Sequence, residues 1–180
     1  VLSRRKSVRD FKKDELTLEE ISQLLWACQG LRNDPVYPPG RTAPSAGGFH
    51  PMEIFLFTPQ GVFRYVPANH SMAVIKQGDT RENLRLASLG QQSIGTAPAV
   101  FVIAGKLLPE AVAKYKEREE RYIILEAGCA CQNLLLESVS LDLGAVPIGA
   151  FNDEKITELL GLDKLNAFPF FVVPVGKTVK

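Results

Sequence analysis

The fold of this chain is organised around the stretch Arg41-Thr42-Ala43-Pro44-Ser45-Ala46-Gly47-Gly48-Phe49-His50-Pro51, which leads directly into an apolar strand predicted over Met52–Phe57. Proline fixes φ and glycine permits positive φ, so this composition shapes one loop with few side chains in the way. Such a loop lets a flat or anionic ligand approach the main chain closely. An ordinary turn before a strand would account for the same residues, so the rest of the chain has to decide between the two.

The composition is that of an ordinary globular protein, and 180 residues predict one domain spanning 1–180. With 21 basic and 20 acidic side chains the net charge is +1, which argues against a nucleic-acid partner held by bulk charge. No apolar run reaches the roughly 18 residues that span a bilayer, so no membrane association is expected. Three cysteines form no disulfide framework, which favours a cytoplasmic location. Only two histidines occur, and neither has ligand-type neighbours, so no metal site is predicted.

Periodicity and turn signals predict an α+β sandwich around one sheet, because strands and helices alternate without a regular βαβ repeat. Thr17 to Glu20 form a capping box that opens a helix ending near Cys28, and its apolar face is expected in the core from Leu18 onward. A proline-rich link follows from Asp34 to Gly40. The remaining predicted strands cover 62–66, 99–103 and 169–175, and a polar stretch without regular structure is expected between His70 and the next helix. The remaining predicted helices cover 81–91, a charged segment from Pro109 to Arg121, 122–143, and 153–160 with Asp153 as its cap.

A basic segment near the start, Arg4 to Arg9, carries four cations and one hydroxyl. With the period of two of an extended strand, Arg5, Ser7 and Arg9 fall on one side. Two guanidiniums and a hydroxyl on one side make a phosphate clamp, since Arg offers bidentate donors to phosphate oxygens. A solvated basic leader is the alternative interpretation.

The predicted helix from Tyr122 to Leu143 is apolar nearly all round, so it must be buried on most sides. A domain of this size has little room for such a helix unless a second subunit covers part of it. The sequence therefore predicts a homodimer built on this helix.

The chain lacks a nucleophile beside a base, a carboxylate pair and the Gly-rich phosphate loops of nucleotide-binding domains. It offers instead cations at both ends and a Gln at a predicted helix end. It also has two bare loops, that is, loops of mostly Gly, Pro and other small residues, around Pro44–Gly47 and Pro147–Ala150. A protein with so few catalytic side chains usually takes its chemistry from a cofactor. A flavin fits: its phosphate matches the cations, and its ring matches the bare loops.

The pattern Arg-Lys-Ser-Val-Arg, the run Pro44 to Pro51, the run Pro147 to Phe151 and the terminal Gly176-Lys177 together resemble the FMN-dependent nitroreductase family. The resemblance covers nearly the whole chain. It implies a mainly antiparallel sheet flanked by helices, in an intertwined homodimer with FMN at the subunit interface.

The resemblance also implies which residues hold FMN. Those near the phosphate and ribityl chain are Arg5, Lys6, Ser7, Arg9 and Lys177. Those in the loop donated by the other subunit are Pro44, Ser45, Ala46 and Gly47, with His50 beside them. Gln91 matches the residue that contacts the pyrimidine edge of the flavin, although a solvated helix end is its alternative role. The loop beside the flavin ring comprises Pro147, Ile148, Gly149 and Ala150.

One branch of the family, the SagB-type dehydrogenases, is similar in further places. These are the stretch Arg41 to Gly47, the run Phe63-Arg64-Tyr65 with Pro67 and His70, the run Lys114 to Arg118 followed by Arg121-Tyr122, and Glu126-Ala127-Gly128. In that branch FMN oxidises azoline rings of peptides to azoles, and a Lys-Tyr pair at the position of Lys114 and Tyr115 is associated with catalysis. A charged helix surface is the alternative role for this pair.

Three functions follow as hypotheses. The first is an FMN oxidoreductase that takes hydride from NAD(P)H and passes it to a small nitro or quinone acceptor in ping-pong fashion. The second is a SagB-type dehydrogenase acting on peptide azolines. The third is a protein that stores or senses flavin without turnover.

Overall fold

A computed structural model of the protein describes residues 1–33 and 40–179. The proline-rich link predicted from Asp34 lies outside the described residues, except for Gly40. The strands are β1 (Met52–Thr58), β2 (Gly61–Val66), β3 (Ser71–Gln77), β4 (Ala99–Lys106), β5 (Leu143–Ala145) and β6 (Ala167–Lys177). The helices are α1 (Leu18–Gln29), α2 (Arg81–Ala87), α3 (Gln92–Thr96), α4 (Pro109–Tyr115), α5 (Glu119–Ser140) and α6 (Asp153–Leu160).

The strands form one sheet in the order β3-β2-β1-β4-β6-β5, and every neighbouring pair is antiparallel. The two central pairs have long registers, with Met52 opposite Gly105 on β4 and Gly105 opposite Phe168 on β6. The prediction of an α+β fold around a mainly antiparallel sheet is confirmed.

Each face of the sheet carries its own hydrophobic core. One core joins Ile54, Phe101 and Val173 to helices α1 and α5. The other joins neighbouring strand residues such as Phe55 and Val102 to helices α2, α3 and α6. Because successive strand residues point to opposite faces and both faces are covered, β1 reads as a continuous apolar run.

The start of α1 behaves as its sequence predicts. Thr17 accepts a hydrogen bond from the Glu20 N–H at 3.1 Å, and the Glu20 carboxylate accepts one from the Thr17 N–H at 2.7 Å. These reciprocal bonds satisfy two of the N–H groups that a helix start leaves free. The prediction that Leu18 is a core residue is wrong, because its side chain is 69% exposed.

Two predictions in the middle of the chain are also corrected. The polar stretch expected after His70 is the edge strand β3, held by pairing with β2 although almost all its side chains are exposed. The helix expected over 81–91 ends at Ala87, since Leu89 and Gly90 take positive φ values of 58° and 75°, and the next helix, α3, begins only at Gln92. Positive φ cannot continue a right-handed helix.

The helix boundaries in the second half shift for similar reasons. Helix α4 ends at Tyr115 because Lys116 has φ 53° and ψ −129°, and α5 then begins at Glu119. Asp142, with φ 55°, separates α5 from β5, so Leu143 belongs to a strand and not to the long helix.

At the start of α6 the cap is Asn152, whose side chain accepts from the Lys155 N–H at 2.8 Å. The predicted cap, Asp153, is the first helical residue instead.

Candidate active site

The N-terminal segment lies along the outer end of the sheet. Ser7 forms a parallel bridge with Ala145, and the Lys12 N–H donates to the Lys177 carbonyl at 2.9 Å. Lys177 in turn is paired with Leu143 across β5 and β6. The structure therefore brings the two predicted phosphate-binding segments, one from each end of the chain, to the same place.

The cations of this region are free to bind an anion. Lys6 and Arg9 are exposed, whereas Arg5 and Lys177 are half-buried. Within residues 1–33 and 40–179, none of these four forms an ion pair. Neighbouring Arg4 differs, since its guanidinium lies 2.9 Å from the Asp142 carboxylate. An uncompensated group of Arg and Lys side chains suits a phosphate, which accepts several charge-assisted hydrogen bonds.

The second predicted loop, Pro147–Ala150, runs on from β5 beside β6. Ile148 exchanges two backbone hydrogen bonds with Val172, each 2.9 Å long. Beyond it Gly149 and Ala150 are exposed, and a Cβ placed on Gly149 would meet no atom within 4 Å. The main chain at this bend is therefore open to a ligand.

Gln91 lies beside this loop and anchors it. Its side-chain amide donates to the Ala150 carbonyl at 2.9 Å and to the Ser88 carbonyl at 3.1 Å. The amide N–H groups are thus used within the protein, and contact with a ligand through the amide oxygen stays a prediction. Gln91 is also the residue that precedes helix α3 and not the end of a longer helix.

The first predicted loop, Pro44–His50, lies at the start of β1. Ala46–Gly48 form a single 3-10 turn in which Gly47 and Gly48 take φ values of 65° and 72°. The Ser45 hydroxyl accepts from the His50 N–H at 2.8 Å and donates to the Glu126 carboxylate at 3.0 Å. The Ala46 N–H donates to the same carboxylate oxygen at 2.7 Å. The loop is therefore fixed by a side chain that lies far away in sequence.

Glu126 belongs to the run Glu126-Ala127-Gly128 that resembles the SagB-type branch, but the sequence alone predicts no role for it in the site. Its side chain lies on α5, is only 6% exposed, and has one oxygen, Oε2, that is buried without a hydrogen-bond partner among the described residues. Burial raises the pKa of this carboxyl group, the hydrogen bonds from Ala46 and Ser45 oppose the shift, and the Glu119 carboxylate adds to it. A carboxylate between the apolar residues Leu125 and Ala127, in the apolar part of the helix, was the signal that could have identified it.

Lys114 and Tyr115 lie against this same loop. The Tyr115 ring packs edge-on against Phe49, with centroids 6.0 Å apart, and against Tyr122 at 4.9 Å. The Lys114 ammonium lies 5.6 Å from the Phe49 ring centroid. A Cβ on Gly47 would collide with the Tyr115 hydroxyl, so a glycine is needed for this approach. The pair therefore contacts the loop, and its role in catalysis stays a prediction.

The two groups of site residues lie at opposite ends of the sheet. The Pro44–His50 loop precedes Met52, which is level with Gly105 and Phe168, whereas the cations gather around Lys177. The nine residue-to-residue steps of β6 from Phe168 to Lys177 correspond to roughly 30 Å at about 3.3 Å per step. One copy of the chain cannot place both groups around the same small ligand.

Helix α5 presents an apolar stripe to the outside, in addition to its buried face. Ile124 and Leu125 are both 57% exposed, and Gly128, one turn on, is exposed as well. The expectation that this helix is buried on most sides therefore does not hold within one copy of the chain.

The sequence matches the nitroreductase family over residues 2–177. The chain belongs to the nitroreductase family. It is 36% identical over 186 residues to MJ1384 of Methanocaldococcus jannaschii, a protein classed as a nitroreductase, and the match covers 100% of this chain and 90% of that protein. A crystal structure classed as a nitroreductase from Ralstonia eutropha superposes with a TM-score of 0.81 and 28% identity, covering 99% of this chain and 81% of that one.

A third relative is McbC of Escherichia coli, a microcin B17-processing protein. The identity is 22% over 142 residues, which cover 73% of this chain, and the match spans about half (52%) of McbC. The relatives of this nitroreductase-family chain thus include the SagB-like branch, as its sequence predicted.

Membership has general consequences. Nitroreductase-family proteins are oxidoreductases that are generally flavin-dependent and generally dimeric. No helix within the described part of the chain is long and apolar enough to cross a bilayer. No cluster of three His, Cys, Asp or Glu side chains suited to a metal ion occurs among those same residues.

Proposed function

We propose that this chain is a single FMN-binding domain that acts as a homodimeric oxidoreductase, taking hydride from NAD(P)H and passing it to a small nitro or quinone acceptor. In this ping-pong order, the acceptor binds in the same pocket after the oxidised electron donor has left it. Three cysteines without a disulfide, Cys28, Cys129 and Cys131, suit the reducing cytoplasm, where we place the protein.

The observation that supports this proposal is the separation of the two groups of site residues along β6. Each group is incomplete: one supplies cations and an open main chain, and the other supplies a bare loop with aromatic and cationic neighbours. A two-fold dimer can place the loop of one copy against the cations of the other. The exposed stripe of Ile124 and Leu125 offers an apolar surface for that contact, since large exposed apolar patches mark interfaces.

The residues present fit FMN. The unpaired side chains of Arg5, Lys6, Arg9 and Lys177, with the Ser7 hydroxyl, would hold the phosphate. The open bend at Pro147–Ala150 and the second copy's Pro44–Gly47 loop would enclose the ring, with His50 next to that loop. Bound FMN would supply the two-electron chemistry that no side chain of this protein can perform.

The protein itself would orient the ring and control protons. Glu126 fixes the Ser45–Ala46 main chain, so the loop is rigid before a ligand arrives, and preorganised groups lose less entropy on binding. The Tyr115 hydroxyl, next to Gly47, and the Lys114 amino group, over the Phe49 ring, are groups that could exchange a proton with a substrate at this loop.

A SagB-type dehydrogenase is the second candidate function. The position of Lys114 and Tyr115 over the loop, together with the likeness to McbC, favours it. In this reaction an azoline ring loses two hydrogens to become an azole, one leaving as a proton and one as a hydride. Lys114 as its free amine, or Tyr115 as its phenolate, would accept the proton, and bound FMN would supply the oxidant that takes the hydride.

An absorbance spectrum separates these functions at low cost. The purified protein should be yellow, and anaerobic NADH or NADPH should bleach it, with colour returning on addition of a nitro or quinone acceptor. Bleaching by dithionite alone would instead indicate storage, or an electron donor of another kind. For the second candidate, an azoline-containing peptide should lose the mass of two hydrogens, and a Tyr115→Phe variant should lose that activity while keeping its flavin.

A further inference from the structure

A small polar cavity opens beside the Pro44–His50 loop, between that loop and the first two strands. Its volume is about 140 Å³, and its charged lining comprises Arg41, Glu53, Arg64 and Lys106, with His50 at one side. Since a water molecule takes about 30 Å³ in the liquid, this space is large enough for a carboxylate or phosphate group.

The charges around the cavity do not balance. The buried Glu53 carboxylate lies 3.0 Å from the Arg64 guanidinium and 2.7 Å from the Lys106 ammonium, so one anion serves two cations. Arg41 is a third cation, and its guanidinium donates to the neutral Gln29 amide oxygen at 3.1 Å. The lining therefore has an excess of two positive charges, which favours an anionic ligand.

His50 gives a second, independent sign of a ligand. Its Nδ1 is buried and has no hydrogen-bond partner among the described residues. Burial and the Arg41 charge both lower the pKa of this imidazole, so the ring is neutral at neutral pH and can donate one hydrogen bond. Buried polar atoms are usually satisfied, and an unsatisfied one beside a cationic cavity is explained by a missing partner.

We propose that this cavity is an oxyanion subsite, which binds the carboxylate or phosphate group of the small molecule that the active site accepts. The cations Arg41, Arg64 and Lys106 would hold the acid group, and His50 would donate to it. Because His50 belongs both to the cavity wall and to the loop fixed by Ser45, the rest of the bound molecule would lie next to that loop. The substrate part of this inference rests on the proposed function, whereas the anion site itself does not.

Binding is tested first without turnover. Inorganic phosphate is titrated by calorimetry into FMN-loaded protein, in which the phosphate clamp is already filled. The wild type should bind, Arg41→Gln should bind about tenfold more weakly or worse, and Arg41→Lys should recover most of the affinity. Lys164→Gln, which removes an exposed cation elsewhere, is the matched control and should resemble the wild type.

Absence of binding by the wild type, or equal binding by Arg41→Gln, would overturn the subsite. If the protein retains no FMN, the flavin proposal fails on its own. The same comparison of Arg41→Gln with Lys164→Gln in the flavin-free protein then still decides whether this cavity binds phosphate.

Turnover then identifies the source of the acid group. The KM for para-nitrobenzoate should rise about tenfold in Arg41→Gln while that for para-nitrotoluene stays unchanged, if a carboxylate of the acceptor is bound. If the KM for NADPH rises in Arg41→Gln while the KM for NADH is unchanged, the subsite binds the phosphate of the electron donor. Equal changes for all four compounds would show that Arg41 is merely structural and would refute the proposal.

Discussion

The role of Glu126 leads to the sharpest prediction, because one carboxylate oxygen holds two donors of the Pro44–His50 loop. Glu126→Ala removes the acceptor and leaves the Ser45 hydroxyl and the Ala46 N–H without it. Glu126→Gln can keep an oxygen in the same place, while it removes the charge and puts an amide nitrogen where the unpaired Oε2 lies. The two variants therefore separate the hydrogen bonds from the ionised state.

The magnitude follows from the contacts. Hydrogen bonds to a charged acceptor contribute about 1.5–3 kcal/mol each, so losing two of them costs roughly 3–6 kcal/mol. The substitution also removes a buried carboxylate oxygen that has no hydrogen-bond partner, and this relief offsets the loss by about 1–3 kcal/mol. We expect Glu126→Ala to lower the free energy of unfolding by about 2–3 kcal/mol, and Glu126→Gln to lower it by about 1 kcal/mol or less.

The assay is urea unfolding at one fixed protein concentration, since a dimer's stability depends on concentration, together with the flavin content of the purified protein. Glu126→Ala should lose flavin because the loop is released, and Glu126→Gln should keep it. Glu137→Ala, about three turns further along α5, is the control for removing a carboxylate from this helix. The reasoning fails if the Ala and Gln variants retain flavin equally and unfold at the same urea concentration.

Three further predictions concern the phosphate site, the dimer and pH. Lys177→Ala should weaken FMN binding about tenfold in a fluorescence titration, because a charged phosphate partner is lost; unchanged affinity would argue against the clamp. Leu125→Glu should place a charge on the exposed stripe and yield a monomer without flavin by light scattering, and a flavin-bound dimer would show that the interface lies elsewhere. Burial raises the pKa of Glu126 above its unfolded value, so the stability given by its neutral form is present at low pH and is lost as pH rises through the folded pKa. The stability of the wild type relative to Glu126→Gln should therefore fall as the pH rises above the usual titration range of a glutamate carboxyl group, and a rise would contradict the burial argument.

Local signals in the sequence were sufficient for much of the fold. The capping box of Thr17 and Glu20 involves residues three apart, so nothing distant decides it. The run Met52–Phe57 must be buried on both faces, which places it inside a covered sheet. The break at Gly90 was also visible in principle, because a glycine after Leu89 permits the positive φ that ends a helix.

Other features depend on contacts that no local pattern reveals. Strand β3 has almost no buried side chain, so its sequence lacks the alternation of a half-buried strand, and only pairing with β2 makes it a strand. Glu126 meets Ser45 across 81 residues of sequence, and the Arg41 cavity likewise gathers side chains from three separate segments. The sequence predicted the bare loop, and only the fold shows which carboxylate fixes it.

The central claim is that one flavin site needs two copies of the chain, and mixed dimers test it most directly. One variant combines Arg5→Ala with Lys177→Ala, and the other carries Gly47→Val, whose side chain would collide with the Tyr115 hydroxyl. Each alone should purify without flavin. If each site is shared, one site of the heterodimer contains the mutated cations of one copy and the mutated loop of the other. The second site contains the unmutated cations and the unmutated loop. We predict half of the wild-type flavin content for the purified heterodimer, whereas a heterodimer without flavin would contradict a site shared between two copies.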